Sequence, residues 1–332
     1  MSAPPHPILA FAPGLARRPR IELTDRPTAI EQLPAFGSRV WVKREDRVSS
    51  VYGGNKVRRW EWLLGEARAR GATEVMTVGG LGSSQVTSVA VHAGAAGFKV
   101  SAVLFDQLES AFVSEALELD ARAGAAVSAV GGIARAVLST TRRLGRHRGD
   151  PSLYFIAPGA SGPVANVAYV DCALEIGEQV AAGIAPRPDR VVVACGSGGT
   201  AVGLSIGFAM LGWPTVVTAV RITDLVASNA LTLGAMAFAT TRLLRREGFT
   251  GRRLRPRFEI DHRFIGRGYG YATPEAERGA RRFAELFGVA GEVTYSGKAL
   301  AALEVAVTEH PGETILWINT LSTTGRLATL RS

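Results

Sequence analysis

Thirty consecutive residues, Val191 to Val220, carry no charged side chain. A run of that length belongs either in a bilayer or deep inside a protein. Its middle reads Gly196-Ser197-Gly198-Gly199-Thr200, and Trp213-Pro214 breaks it again. Strand, helix and strand, all buried, account for those interruptions better than one membrane span. A strand buried on both faces is a central strand of a parallel sheet, so helices must cover it on either side.

The rest of the chain agrees. Short runs rich in Val and Ile predict strands at Val75–Val78, Val100–Phe105, Leu153–Ala157, Val191–Ala194, Val216–Ile222 and Thr314–Ile318. Helical patterns separate them at Lys56–Arg70, Ser84–Ala96, Ser110–Ala123, Val164–Ala182, Thr200–Leu211, Pro274–Phe287 and Lys298–Thr308. The expected class is α/β, with parallel sheets covered by helices. With 332 residues, 47% hydrophobic and 20% charged, the chain can bury a sizeable core in one large or two medium domains. Two cysteines, Cys172 and Cys195, exclude a disulfide framework and a zinc site. Met1 to Gly14 is Pro-rich and does not read as a signal peptide, so the expected compartment is the cytoplasm. The net charge of +9 includes a run of arginines from Arg242 to Arg257, which matches no nucleic-acid motif and reads as a solvated helix end and loop.

Glycine clusters fall where strands give way to helices, which is where open α/β sheets bind ligands. Cys195-Gly196-Ser197-Gly198-Gly199-Thr200 follows a strand and opens a helix. Backbone N–H groups there, with the helix dipole and the hydroxyls of Ser197 and Thr200, suit a phosphate. A tight turn would use the same residues. Gly196, Gly198 and Ala201 also fit a dinucleotide pattern, with Arg221 available for an NADP phosphate, so a reductase reading stays open. The second cluster is Gly53-Gly54-Asn55-Lys56-Val57-Arg58-Arg59. The chain has four lysines, Lys43, Lys56, Lys99 and Lys298, against 34 arginines among its 38 basic residues. A lysine kept in so Arg-biased a chain suggests amine chemistry, which Arg cannot supply. A helix start with Arg58 and Arg59 nearby would lower the Lys56 pKa and prepare it for a Schiff base. A plain surface lysine is the alternative. Ser83 and Gln85 read equally as helix-capping residues.

Trp41-Val42-Lys43-Arg44-Glu45-Asp46, followed by Gly53-Gly54-Asn55-Lys56-Val57-Arg58, resembles the D-cysteine desulfhydrase and 1-aminocyclopropane-1-carboxylate (ACC) deaminase family. The resemblance runs from about Arg20 to the C-terminus and includes Gly268–Glu275 and Tyr295–Ala299. It implies pyridoxal 5'-phosphate (PLP) as cofactor and the two-domain fold type II, similar to tryptophan synthase β. The larger domain would comprise residues 1–55 and 158–332, and a smaller inserted α/β domain residues 56–157. It further implies that Lys56 forms the Schiff base and Asn55 binds the phenolic oxygen. Cys195 to Thr200 would form the phosphate cup, Tyr295 would be an active-site tyrosine, and Ser296 would face the pyridine nitrogen. Ser83 joins Lys56 and Tyr295 as a catalytic candidate. Ser83, Ser84, Gln85 and Ser161 are the substrate-binding candidates.

The chain departs from that family around the substrate. Ser84 replaces Asn, Pro158–Pro163 carries two changes in a G-G-S-N-P loop, and Asn319–Ser322 replaces H-T-G-G. Ser296 stands where ACC deaminases carry Glu, which favours elimination over ring opening. The expected activity is α,β-elimination from a small amino acid, releasing pyruvate and ammonia. ACC deamination, β-replacement and the non-PLP reductase are the alternatives. No metal, nucleic acid or membrane partner is expected, and the expected assembly is a homodimer.

Overall fold

The computed structural model describes residues 5–326. The elements run α1 (Ile8–Phe11), β1 (Ile30–Gln32), β2 (Val40–Lys43), α2 (Val57–Ala69), β3 (Glu74–Gly80), α3 (Ser84–Ala95), β4 (Lys99–Phe105), α4 (Ala111–Arg122), β5 (Ala126–Ala129) and α5 (Ile133–Arg146). They continue β6 (Leu153–Ile156), α6 (Pro163–Ala181), β7 (Arg190–Cys195), α7 (Gly199–Leu211), β8 (Val216–Arg221), α8 (Ala230–Arg246), β9 (Phe258–Asp261), α9 (Pro274–Phe287), α10 (Ser296–Glu309) and β10 (Ile315–Ile318).

Two sheets result. One has six strands in the order β1-β2-β10-β7-β8-β9, and the other four in the order β5-β4-β3-β6. Every pairing is parallel except β1 with β2. The uncharged run becomes β7, α7 and β8, as its interruptions predict. Both faces of β7 are covered. Val191 and Val193 pack with Val167, Val170 and Leu204 of α6 and α7, whereas Val192 packs with Trp317, Phe283 and Leu300 on the other side. Helix α7 is apolar all round because it is enclosed by α6, α8 and the sheet. No helix among the described residues is long and apolar enough to cross a membrane.

The sequence pattern missed β1, β2, β5, β9, α5 and most of α8. The four strands are three or four residues long and lie at or near a sheet edge; β1, β5 and β9 are of mixed polarity, and the apolar run Val40–Val42 of β2 is only three residues long. Helix α5 leaves Ile133, Val137 and Leu138 exposed beside its arginines. The Arg242–Arg257 run does divide between the last turn of α8 and the loop after it.

A buried ionic cluster joins β2, α2 and α6. Lys43 Nζ donates to Glu175 Oε1 (2.6 Å), Gln179 Oε1 (2.6 Å) and the Thr28 carbonyl (2.8 Å). Arg58 donates to Glu45 (2.7 and 2.8 Å) and to Glu175 (2.9 Å from each of two nitrogens). Two cations face two carboxylates, and both carboxyls are held below their usual range by the Arg58 and Lys43 charges, which outweigh desolvation. Glu175→Ala leaves Lys43 and Arg58 with one carboxylate between them in a dry interior. It should cost about 3–5 kcal/mol. Glu118→Ala, at an exposed helical pair with Arg122, should cost about 0.3–0.5 kcal/mol. Urea midpoints of the two variants check this, and similar midpoints would contradict it.

Candidate active site

Lys56 occupies the N-terminal boundary of α2, where its carbonyl accepts from Arg59 N and Trp60 N. Its amine differs from the other three. Lys43 is ion-paired, Lys298 donates to the Ile265 carbonyl (2.8 Å), and Lys99 is exposed. Among the described residues, Lys56 Nζ makes no hydrogen bond or ion pair; it lies 5.4 Å from the centre of the Tyr295 ring. Desolvation, reinforced by the nearby Arg59 charge, lowers its pKa to about 8. Glu292 opposes that shift.

Beside the amine is the glycine loop between β7 and α7. Gly198 caps the helix at φ +87°, a left-handed conformation that glycine adopts without strain. Gly196 to Thr200, Asn55, Lys56, Arg59 and Tyr295 line a small cavity at the positive end of the α7 dipole. A Cβ added at Gly196 would stand in ordinary contact with its nearest neighbours, the Tyr295, Ile222 and Thr223 side chains, at 3.7–3.9 Å. Arg59 enters the same cavity. It donates to Thr200 Oγ1 (2.6 Å) and to the Gly159 carbonyl (2.6 Å). It is 2% exposed, and its Nε has no partner. Arg58 has two carboxylates, whereas Arg59 has none among the described residues. Burial without an acid lowers the Arg59 pKa to about 10. A buried cation without an acid, beside the N-terminus of α7, suits an anion.

A second cavity, of about 250 Å³, opens on the other side of Lys56. Asn55, Lys56 and Tyr295 line both. The larger one adds Ser84, Gln107, Phe112, Tyr269, Glu292 and Leu321, among others. Tyr269 and Tyr295 join through their hydroxyls at 3.2 Å. Thus the structure gathers Asn55, Lys56, Ser84, the glycine loop and Tyr295 into one region.

The remaining candidates lie just behind it. Ser83 begins α3 without capping it through its side chain, and it lines neither cavity. Gln85 Nε2 donates to Thr77 Oγ1 and the Ala157 carbonyl, which ties α3 to β3 and β6. Ser161 Oγ is 2.6 Å from Ser197 Oγ, so it braces the glycine loop. Cys195 points inward to Ser228 Oγ at 3.2 Å. Ser296 Oγ donates to the Glu292 carbonyl (2.9 Å) and accepts from Glu292 N (3.1 Å), and it too lines neither cavity.

Sequence reasoning passed over Arg59, Gln107 and Glu292 as site residues. Arg59 was readable: three residues after Lys56, it shares that residue's helical face, whereas Arg58 does not. Glu292 follows no helical period. Its carboxylate accepts from Thr294 N, Tyr295 N and Ser296 N at 2.6–2.7 Å and caps α10.

Because the neutral amine is the nucleophile, labelling of Lys56 in the cofactor-free protein by trinitrobenzenesulfonate should be half-maximal near pH 8. Peptide mapping across a pH series measures this. A half-point at the ordinary lysine value of about 10.4 would contradict the desolvated amine.

Comparison with known proteins agrees with this geometry. The family model described as pyridoxal-phosphate dependent enzyme matches residues 21–320. Nocardicin C-9' epimerase of Nocardia uniformis subsp. tsuyamanensis is 36% identical over 310 residues, covering 90% of this chain and 91% of the relative. D-cysteine desulfhydrase of Klebsiella pneumoniae (strain 342) is 28% identical, covering 89% and 90%. A solved ACC deaminase homologue superposes with a TM-score of 0.80 at 28% identity, covering 96% of this chain and 95% of that one. The chain belongs to the pyridoxal-phosphate dependent enzymes, with a fold type II architecture and relatives that include an ACC deaminase homologue and D-cysteine desulfhydrase.

Proposed function

We propose that the protein is a PLP-dependent lyase that removes the α-proton and a β-substituent from a small amino acid. The observation that carries this reading is the placement of the free Lys56 amine between an anion cradle and a 250 Å³ cavity. The residues fit the cofactor. Arg59 is a buried cation with no acid among the described residues, its Nε has no partner, and it lines the same small cavity as Gly196 to Thr200. Gly196 to Thr200 and Arg59 would hold the phosphate, Asn55 the phenolic oxygen, and Lys56 the aldehyde carbon. The cofactor supplies an electron sink conjugated to the substrate's Cα.

This chain's side chains would do the rest. The Lys56 amine would take the α-proton. Its low pKa keeps a useful fraction neutral near pH 7 to 8. Tyr295 stacks close to that amine and, with Tyr269, forms a wall of the cavity. Ser84, which lines the cavity at the start of α3, would meet the substrate carboxylate together with the N-terminal N–H groups of that helix. Departure of the β-substituent releases 2-aminoacrylate, which water converts to pyruvate and ammonia. In this reading, residues 56–157 form the smaller body that closes over substrate against residues 1–55 and 158–332.

A second reading, epimerisation at Cα, draws on one feature. The Lys56 amine and the hydroxyls of Ser84, Tyr269 and Tyr295 line a single cavity, so two different groups could carry a proton to Cα. A relative 36% identical to this chain is named nocardicin C-9' epimerase.

One experiment separates these. Holoenzyme in deuterated buffer is given D-cysteine, β-chloro-D-alanine and ACC, and kcat/KM is measured for keto-acid release. Borohydride reduction and peptide mapping should place the cofactor on Lys56. Pyruvate from the first two should form faster than 2-oxobutyrate from ACC. If ACC is the best substrate, the deaminase reading replaces this one. Recovery of intact, deuterated amino acid of both configurations would instead favour epimerisation.

A further inference from the structure

The larger cavity has a polar feature that the fold does not use. Gln107 lies in the loop between β4 and α4, and its carboxamide is wedged between Gly80 and Gly270. A Cβ at Gly80 would stand 2.5 Å from Gln107 Oε1, and one at Gly270 would stand 3.2 Å from Nε2. Oε1 is buried without a partner, and the amide makes no hydrogen bond among the described residues. An amide oxygen buried without a partner is unfavourable for the folded chain alone, because it keeps its desolvation cost until something bonds it.

The surroundings limit what that something can be. Phe112, Val113, Leu321 and Val293 make this wall of the cavity apolar. Phe112 is fixed, since the Arg326 guanidinium lies 5.1 Å from its ring centre and is held by Glu115 at 2.6 and 2.9 Å. The acidic and basic residues lining the cavity are Lys56 and Glu292. Lys56 belongs to the proposed chemistry, and the Glu292 carboxylate already takes three backbone N–H groups. No charge is left over to pair with an ionised side chain of a substrate.

Resting on the reading of this cavity as the amino-acid site, we propose that Gln107 selects substrates whose side chain has an apolar body and a neutral polar end, an amide or a hydroxyl. The carboxamide is neutral and turns one end, donor or acceptor according to the amide's orientation, toward the cavity, so it matches a neutral group with both functions and offers no opposite charge to a carboxylate or an ammonium. Gln107 is on this account a specificity-determining residue and takes no part in proton transfer.

Calorimetric titration of holoenzyme with both enantiomers of alanine, norvaline, glutamine and glutamate tests this. These compounds lack a good β leaving group, so binding is read apart from turnover. Glutamine should bind more tightly than norvaline by roughly three- to tenfold, the range of one neutral hydrogen bond. Glutamate should bind more weakly than either. Gln107→Leu should bring glutamine and norvaline together. Gln107→Glu, which keeps the shape of the side chain, should instead raise affinity for ornithine over glutamine. Tightest binding by glutamate or by alanine, or an unchanged ranking in both variants, would overturn the role of Gln107 and leave the amino-acid site standing. Failure of every amino acid to bind would overturn that site and this inference with it.

Discussion

The fold depends on how its buried positive charge is balanced. Lys43, Arg58, Glu45 and Glu175 form a neutral, hydrogen-bonded cluster beneath the start of α2. A cluster that dry tolerates no missing partner, so it fixes where α2 begins. Lys56 and Arg59 belong to the same helix start but lie outside that balance. The interior neutralises Arg58 fully and Arg59 not at all, although the two are adjacent in the chain. The site is therefore an incomplete electrostatic arrangement held in place by a complete one.

Topology brings the other parts to this point. In parallel sheets, ligands gather beyond the carboxyl ends of strands. The residues after β2 lead to Asn55 and Lys56, those after β3 to Ser84, and those after β4 to Gln107. The glycine loop follows β7, while Thr320 and Leu321 follow β10. Two sheets thus direct their carboxyl ends at one space. The first three lysine surroundings illustrate the selectivity of this arrangement: Lys43 is consumed by an ion pair, Lys99 is solvated, and Lys56 is left free at the junction.

Much of this was legible in the sequence where one signal dominated. The uncharged run forced a buried strand–helix–strand unit, and its glycines marked a loop that lines a cavity with Lys56 and Arg59. Scarcity of lysine pointed to Lys56. Edge strands such as Ile30–Gln32 and Ala126–Ala129 were not legible, because pairing with a neighbour rather than apolar content makes them strands. Within the site, spacing identified segments but not side-chain direction. Ser83, Ser84 and Gln85 are consecutive, yet only Ser84 lines the cavity while Gln85 is turned into the core. Gln107 and Glu292 carry no motif at all. Their meaning comes from what is left unbonded around one and fully bonded around the other.

On the proposed reading, Arg59 and the Gly196–Thr200 loop would hold a doubly charged phosphate. Phosphorus NMR of the holoenzyme between pH 5 and 9 tests it directly. A phosphate monoester in water takes up its second proton near pH 6, an approximate value for such groups. Held against a buried guanidinium and a helix N-terminus, it should stay dianionic, and its chemical shift should remain flat across the range. In Arg59→Gln, the resonance should begin to titrate within that range. A wild-type resonance that titrates near pH 6, as the free cofactor does, would contradict the account.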